Sequence, residues 1–189
     1  MNNNHCCSCC TPGPGGGQCC PPPPQQARRR VNIDFLYLDL DVCTRCAGTD
    51  ASLDAALADV DALLKAAGFD VVVNKVNISS KELAIKYQFV SSPTIRVNGR
   101  DIQPEVKESL CESCGDLCGG SVDCRVWTYE GQDYTVPPRE MIVNAILKEV
   151  YAGGSAPAAR PPEHDTSREY RLPPNLEAFF DLRNRRQQE

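Results

Sequence analysis

Residues 73–102, VNKVNISSKELAIKYQFVSSPTIRVNGRDI, contain the local signals that decide the fold. The segment begins as a strand, and Ser79 with Glu82 then forms a capping-box pattern that opens a short helix lasting to about Tyr87. The run TIRV, the dipeptide Asn98–Gly99 and the run RDI predict a hairpin with a tight turn. A strand, a helix and a hairpin are therefore expected in succession.

The sequence before this segment predicts a further strand and a long helix. VNIDFLYLDLDV, residues 31–42, is apolar on both faces, as a central strand covered on both sides requires. Apolar residues at helical spacing follow it: Leu53, Leu57, Val60, Leu64 and Ala67. Gly68 closes this helix, and DVVVNKVNI begins the next strand. The alternation of strand, helix and strand implies a parallel pair with a right-handed crossover.

The chain divides into three parts by composition. Residues 1–30 are rich in Cys, Pro and Gly, and we expect them to be disordered without a ligand. Residues 31–151 form the folded domain and end in a helix that follows Pro137 and Pro138. Residues 152–189 contain a linker and a short amphipathic helix, which we expect to dock on its own domain. A partner-binding role for this helix is the alternative.

Charge and hydropathy exclude several classes of function. The net charge is −5, and residues 31–151 hold 19 acidic against 11 basic residues. An acidic centre without a basic stripe argues against nucleic-acid binding. Neither a membrane-spanning segment nor a secretory signal is expected, so we place the protein in the cytoplasm, where thiols are mostly reduced. Its cysteines are therefore expected to bind metal or to act chemically.

Two cysteines, Cys43 and Cys46, follow the first strand in the segment DVCTRC. Thr49 or Asp50 is a plausible N-cap, so the helix is expected to begin after the pair. This placement weakens activation of the thiols by the helix dipole, and Arg45 can replace part of that activation as a nearby cation.

The element order and the segment 73–102 resemble the thioredoxin-like superfamily, over about residues 31–103 and again at the helix near 139–150. The resemblance implies an α/β fold with a central mixed sheet of about four strands flanked by helices. Within the superfamily, the chain looks most like an uncharacterised bacterial thioredoxin-like family with a cysteine-rich insertion. That family implies a fold and no activity.

The resemblance also implies a reactive site. Cys43 and Cys46 stand where the superfamily keeps its C-x-x-C pair, and Pro93 stands where it keeps a cis proline. Ser92 would present its backbone to a substrate chain beside the reactive sulfur. Cys43 is then the more reactive thiol, and Cys46 resolves the mixed disulfide. In this sequence Thr44–Arg45 replaces the Gly-Pro of the superfamily.

The insertion, residues 104–136, is expected to form a cysteine-rich lid over this site. Its second half predicts a hairpin with Glu130–Gly131 near the turn. A stretch of 14 residues in the insertion holds four cysteines: Cys111, Cys114, Cys118 and Cys124. They can form a zinc site, two exchangeable disulfides or, less in keeping with known spacings, an iron–sulfur site. The spacing leaves a redox relay and a structural metal both open.

The N-terminal tail carries a separate set of soft donors: His5, Cys6, Cys7, Cys9, Cys10, Cys19 and Cys20. Thiolates select zinc, Cu(I) and other soft ions, and adjacent cysteines suit clustered or thiophilic species such as mercury or a metalloid. The alternative is a low-complexity tail that binds metal only adventitiously.

Three functions remain. The favoured one is a thiol–disulfide oxidoreductase that acts on a protein or small-molecule disulfide and requires no cofactor. The second is a soft-metal or metalloid (zinc, copper, mercury, arsenic) binder on a thioredoxin-like scaffold. The third is a non-catalytic adaptor. The sequence gives neither the substrate nor the oligomeric state.

Overall fold

A mixed four-stranded sheet forms the centre of the chain. The computed structural model describes residues 28–152 and 170–186. The sheet consists of β1 (Arg29–Tyr37), β2 (Phe69–Asn77), β3 (Thr94–Val97) and β4 (Arg100–Asp101), in the order β2-β1-β3-β4. β1 runs parallel to β2 and antiparallel to β3, which pairs antiparallel with β4. The predicted α/β class and the parallel front pair are confirmed.

Five helices and a second sheet complete the described part of the chain. The helices are α1 (Thr44–Ala66), α2 (Lys81–Lys86), α3 (Glu112–Cys118), α4 (Arg139–Ala152) and α5 (Pro174–Arg186). The second sheet consists of β5 (Lys107–Leu110), β6 (Asp123–Tyr129) and β7 (Gln132–Tyr134), paired antiparallel in that order.

β1 separates two hydrophobic cores, because its side chains alternate between the faces of the sheet. Ile33 and Phe35 are fully buried on one side, in a core shared with α1 and α4. Leu36 and, just beyond the strand, Leu38 are fully buried in the other core, which contains the described cysteines. The strand is therefore covered on both sides, as its sequence predicts.

The insertion, residues 104–136, folds as an integral layer of the domain. β5, α3, β6 and β7 all lie within it, and Trp127 of β6 is fully buried in the core that α1 and α4 share. The predicted hairpin is present, and its turn residues Glu130 and Gly131 have φ angles of 50° and 78°. The insertion is thus anchored through Trp127 of β6, the strand that also carries Cys124.

The tight turn predicted at Asn98–Gly99 joins β3 to β4. Both residues have positive φ, 51° and 82°, which is the conformation that makes Asn-Gly favourable in two-residue hairpins. The Asn98 side chain also accepts a hydrogen bond from the backbone N–H of Asn32 at 3.0 Å. The hairpin is therefore fixed to β1 as well as to itself.

The start of α2 differs from the prediction by one residue. Ser80, not Ser79, is the N-cap, and its hydroxyl accepts the N–H of Leu83 at 3.3 Å. Glu82 turns back toward the cap, and its hydrogen bond with Ser80 lowers the pKa of the Glu82 carboxyl. The capping-box interpretation chose the wrong serine of an adjacent pair, because Ser79 has Glu82 three residues later, whereas Leu83 stands three residues after the true cap, Ser80.

Ser80→Ala is expected to reduce the free energy of unfolding by about 1 kcal/mol, because it removes the acceptor of a helix-end N–H. Ser79→Ala is the matched control and should change the value by less than about 0.5 kcal/mol. Urea denaturation of the two variants measures both. Equal losses, or a larger loss for the Ser79 variant, would contradict the assigned cap.

The C-terminal helix α5 docks on its own domain, as expected. Leu176, Phe179 and Phe180 are buried in the same core as the cysteines. A Cβ added to Gly120, in the insertion, would clash with a methyl carbon of Leu182, so helix and insertion approach closely there. α5 therefore closes the cysteine-containing core from outside.

Candidate metal centre

The cysteine pair of DVCTRC lies at the beginning of α1. Cys43 is the N-cap residue, and its sulfur accepts the backbone N–H of Cys46 at 3.4 Å. The turn before it is held by Asp39, whose carboxylate accepts the N–H groups of Asp41 at 2.9 Å and Val42 at 2.7 Å. Both cysteines thus lie at the helix end where partial positive charge accumulates.

The expected helix start at Thr49 or Asp50 is wrong. Thr49 is fully buried within α1, and Asp50 forms an ion pair with Lys75 at 2.6 Å. The Cys43 sulfur caps α1, whereas most helices are capped by the oxygen of a Ser, Thr, Asp or Asn side chain. The helix consequently begins six residues earlier than Asp50, at Thr44.

Four sulfur atoms converge in the core beneath the insertion. They belong to Cys43, Cys111, Cys114 and Cys124, which are all buried and whose Sγ atoms all lie within 4.8 Å of one another. We call these four residues the sulfur cluster. The Sγ atoms of Cys114 and Cys124 are only 3.3 Å apart. The fold therefore unites a cysteine at the start of α1 with three from the insertion.

The composition of the sulfur cluster differs from the sequence hypothesis. The set of four insertion cysteines includes Cys118, which lies outside the cluster in the structure. Cys118 is the last residue of α3, and its thiol donates a long hydrogen bond to the Gly115 carbonyl at 3.8 Å. Cys43 completes the cluster instead.

Cys46 is adjacent to the sulfur cluster but not part of it. Its sulfur lies 3.3 Å from the Ser92 hydroxyl, which also accepts the backbone N–H of Leu38 at 3.2 Å. The Ser92–Pro93 peptide bond is cis, as the resemblance implies. Cys43, Cys46, Ser92 and Pro93 are therefore brought to one end of the main sheet.

The backbone of Ser92 is already occupied by the insertion. Its carbonyl accepts the N–H of Arg125 at 2.7 Å, and Arg125 directly follows Cys124 in β6. The sequence hypothesis assigned the backbone of Ser92 to an external substrate chain. In this structure an internal strand takes that place, and it positions Cys124 beside Cys43.

Arg45, the second residue between the paired cysteines, fastens α1 to the insertion. Its guanidinium donates to the carbonyls of Leu110 at 2.6 Å, Cys124 at 3.1 Å and Ser109 at 3.3 Å. A longer contact of 3.5 Å reaches the carbonyl of Arg125. The side chain expected to activate a thiol therefore also joins β5 and β6 to the helix that carries Cys43.

Arg45→Met is expected to lower the free energy of unfolding by about 2 kcal/mol, because carbonyls between the two layers lose a charged donor while the apolar stem is kept. Arg139→Met is the control, since Arg139 pairs with Asp59 on the surface at 3.2 Å, with both side chains about half exposed. It should cost under about 1 kcal/mol. Guanidinium denaturation gives both values, and equal effects would remove Arg45 from this role.

Burial and mutual hydrogen bonding shift the thiols of the sulfur cluster in opposite directions. Hydrogen bonds from Cys114 and Cys124 lower the pKa of Cys111, whereas hydrogen bonding to Cys111 raises the pKa of Cys43 to about 12 and raises that of Cys124. A side-chain hydrogen bond with Cys43, followed by burial, raises the pKa of Cys46. One negative charge is thus favoured at Cys111, and further thiolates require a cation to offset their repulsion.

An internal ion pair holds β6 in place behind the sulfur cluster. Arg125 is fully buried and makes two hydrogen bonds to the Asp101 carboxylate, at 3.0 and 2.8 Å, and one to the Gln103 carbonyl at 2.9 Å. Its guanidinium also lies 5.2 Å from the ring centroid of Trp127. Because Arg125 follows Cys124, this pair determines where the Cys124 sulfur lies.

Cys111 is the member of the sulfur cluster nearest to solvent. It lines a cleft of about 450 Å³ together with Thr44, Arg45, Leu110, Glu112, Ser113 and Asp116. The hydroxyl of Ser113 lies 3.7 Å from the Cys111 sulfur and 3.1 Å from the Thr44 hydroxyl. Cys43, Cys114 and Cys124 have no exposed surface. Access to the cluster is therefore shortest through Cys111.

The proposed tail ligands lie outside the described residues: His5, Cys6, Cys7, Cys9, Cys10, Cys19 and Cys20. The linker predicted at residues 152–168 also lies outside them, apart from Ala152.

Comparison with known proteins places the chain in a family. Residues 31–146 match the family model described as "Domain of unknown function (DUF2703)". The chain belongs to this family. Its match spans β1 to α4 and thus includes all four residues of the sulfur cluster.

Two further comparisons give no match, one with curated proteins and one with solved structures. None of the helices in residues 28–152 and 170–186 has the length and apolar character needed to span a bilayer.

Proposed function

We propose that this member of the DUF2703 family is a thiolate metal-binding protein whose ligands are Cys43, Cys111, Cys114 and Cys124. The observation that carries the proposal is the convergence of four buried sulfur atoms, all within 4.8 Å of one another. Four thiols without any other donor type are suited to zinc or to another thiophilic ion.

The dimensions of the sulfur cluster suit a tetrahedral ion. Zinc–sulfur bonds of about 2.3 Å place the sulfurs of a tetrahedral site about 3.8 Å apart. The mutual limit of 4.8 Å and the 3.3 Å between Cys114 and Cys124 bracket this value. Small side-chain movements are therefore enough to receive an ion.

Groups around the cluster also favour a bound cation. The backbone N–H of Cys46 donates to the Cys43 sulfur, and the Ser113 hydroxyl is near the Cys111 sulfur. Such hydrogen bonds orient ligands and distribute the negative charge of thiolates. Arg45 adds one positive charge close by, which partly balances the charge of −2 that four thiolates around a divalent ion carry.

The scaffold is proposed to be thioredoxin-like. Support comes from the order β2-β1-β3-β4, from the helix between the parallel strands, and from a C-x-x-C segment that begins this helix. The cysteine-bearing part of the insertion then acts as the lid, because the backbone N–H of Arg125 in β6 donates to the carbonyl of Ser92. We propose the cytoplasm as the location, because thiols there are reduced and available to a metal.

Thiol–disulfide exchange by Cys43 and Cys46 is the second candidate function. It is favoured by the position of both cysteines at the start of α1 and by the Ser92 hydroxyl beside Cys46. The sequence ranks this function first. Burial of both sulfurs and the internal hydrogen bond to the Ser92 carbonyl reverse that order, because an external protein chain would have to displace β6.

Zinc loading of the full chain tests the proposed function. The six tail cysteines at positions 6, 7, 9, 10, 19 and 20 are replaced by serine, which leaves only the six described cysteines. We call this variant the tail-serine chain. After anaerobic purification and addition of zinc, native mass spectrometry should show one zinc per chain. A chain that takes up no zinc, and instead reduces disulfides catalytically, would favour the second candidate.

A further inference from the structure

We propose that a disulfide between Cys43 and Cys46 expels the metal, so that the sulfur cluster is a metal site controlled by a small-molecule disulfide. The inference rests on the proposed function, because it assigns the regulation of the same site. It assigns Cys46 a role outside metal coordination, as the thiol that withdraws Cys43 from the cluster.

The geometry makes Cys43 common to two arrangements. Its sulfur belongs to the sulfur cluster, and it also accepts the backbone N–H of Cys46 at 3.4 Å. Residues three apart in a first helical turn have α carbons about 5 Å apart, which is within the range that disulfides require. A Cys43–Cys46 bond can therefore form without unfolding α1.

The two arrangements exclude each other. A sulfur in a disulfide carries no thiolate charge, so Cys43 cannot be a zinc ligand while it is bonded to Cys46. Cys46 is fully buried and lies beside Ser92, outside the cluster. It is thus close enough to take Cys43 away and not placed to replace it as a ligand.

The cleft at Cys111 gives the oxidant its entry. Its volume of about 450 Å³ suits a small molecule, and it is lined by Thr44, Arg45 and Ser113 around the edge of Cys111. A folded protein disulfide cannot reach the fully buried Cys43 or Cys46 by this route. The oxidant is therefore assigned to the class of small-molecule disulfides, R–S–S–R.

The exchange proceeds in three balanced displacements. The Cys111 thiolate attacks R–S–S–R, forms Cys111–S–S–R and expels R–S⁻. Cys43 attacks the Cys111 sulfur, which expels the second R–S⁻. Cys46 attacks the Cys43 sulfur, so that Cys111 leaves as a thiolate and the Cys43–Cys46 disulfide remains.

Two electrons pass from Cys43 and Cys46 to the oxidant, which leaves as two R–SH. One R–S⁻ takes the proton that Cys46 loses, and the other takes a proton from water. The metal is left with the three thiolates of Cys111, Cys114 and Cys124. Its affinity should fall by roughly 100-fold, and a competing chelator then removes it.

The test uses the zinc-loaded tail-serine chain with hydroxyethyl disulfide as the oxidant. Zinc release is followed with a coloured chelator, and the disulfides formed are mapped by peptide mass. Release of one zinc per chain with a Cys43–Cys46 disulfide is expected, and a thiol reductant should restore zinc binding. In the same background, Cys46→Ser should load one zinc, and its exchange should stop at the Cys43–Cys111 disulfide, which peptide mapping detects in place of the Cys43–Cys46 disulfide. Cys118→Ser, a buried cysteine outside the sulfur cluster, should behave as the parent does.

Two results would overturn this inference while leaving the metal site intact. One is the absence of a Cys43–Cys111 disulfide from the oxidised Cys46→Ser variant. The other is release accompanied by a Cys114–Cys124 disulfide in place of the Cys43–Cys46 disulfide. A parent chain that holds no zinc before hydroxyethyl disulfide is added overturns the proposed function itself, and the switch with it.

Discussion

Cys114→Ser is expected to weaken zinc binding by about 100-fold to 1,000-fold. Structural zinc sites with four ligands bind with about 10–16 kcal/mol, so one ligand accounts for roughly 3 kcal/mol, and each 1.4 kcal/mol is a factor of ten. Cys114 is the most informative member of the sulfur cluster to remove, because it lies within α3, is fully buried and caps no helix. Competition with a chelator of known affinity measures the change in the tail-serine chain.

Cys118→Ser is the matched control for this prediction. Both cysteines belong to α3 and both are buried, but only Cys114 lies in the sulfur cluster. The control should bind zinc within about threefold of the parent. If the two variants lose affinity equally, the ligand set is the insertion quartet that includes Cys118, and the assignment of Cys43 fails.

Asp101→Ala should reduce the free energy of unfolding by about 3–5 kcal/mol, because it leaves the guanidinium of Arg125 buried without its counter-ion. Arg125 is fully buried and Asp101 is only 16% exposed, so water cannot replace the lost carboxylate. The loss of Asp101 should also disturb the position of the metal ligand Cys124, since Arg125 follows Cys124 in β6. Urea denaturation monitored by the fluorescence of Trp127 measures the stability.

Asp133→Ala serves as the control for Asp101→Ala. Asp133 pairs with Lys107 between β7 and β5, and both side chains are about half exposed. Because exposed ion pairs contribute little, this variant should lose under about 1 kcal/mol. A loss at Asp101 no greater than that at Asp133 would show that the buried pair does not hold the insertion in place.

Much of the fold could be predicted because its signals are local. Three kinds of signal each depend on a few neighbouring residues. They are the apolar residues on both faces of β1, the Asn98–Gly99 and Glu130–Gly131 turns, and the apolar spacing of α5. The helix starts were less certain. At α2 two adjacent serines compete for the cap, and at α1 the cap is a cysteine, a residue type with no strong N-cap preference.

The sulfur cluster could be predicted only in part, because its membership depends on tertiary packing. The sequence indicates that the insertion lies near Cys43, but spacing alone cannot show that Cys118 lies outside the sulfur cluster. It also cannot show that Arg125 donates to Ser92 across more than thirty residues and thereby places Cys124. The three-residue interval between Cys111 and Cys114 was the available signal, since it matches a metal-binding C-x-x-C pair.

X-ray absorption at the zinc edge, measured on the zinc-loaded tail-serine chain, counts the sulfur ligands of the bound ion. Coordination by Cys43, Cys111, Cys114 and Cys124 predicts four sulfur neighbours at about 2.3 Å, and the same spectrum in the Cys118→Ser variant. Cys43→Ser should replace one sulfur with a lighter atom. A parent spectrum with fewer than four sulfurs, or one that Cys43→Ser leaves unchanged, would contradict the proposed metal centre.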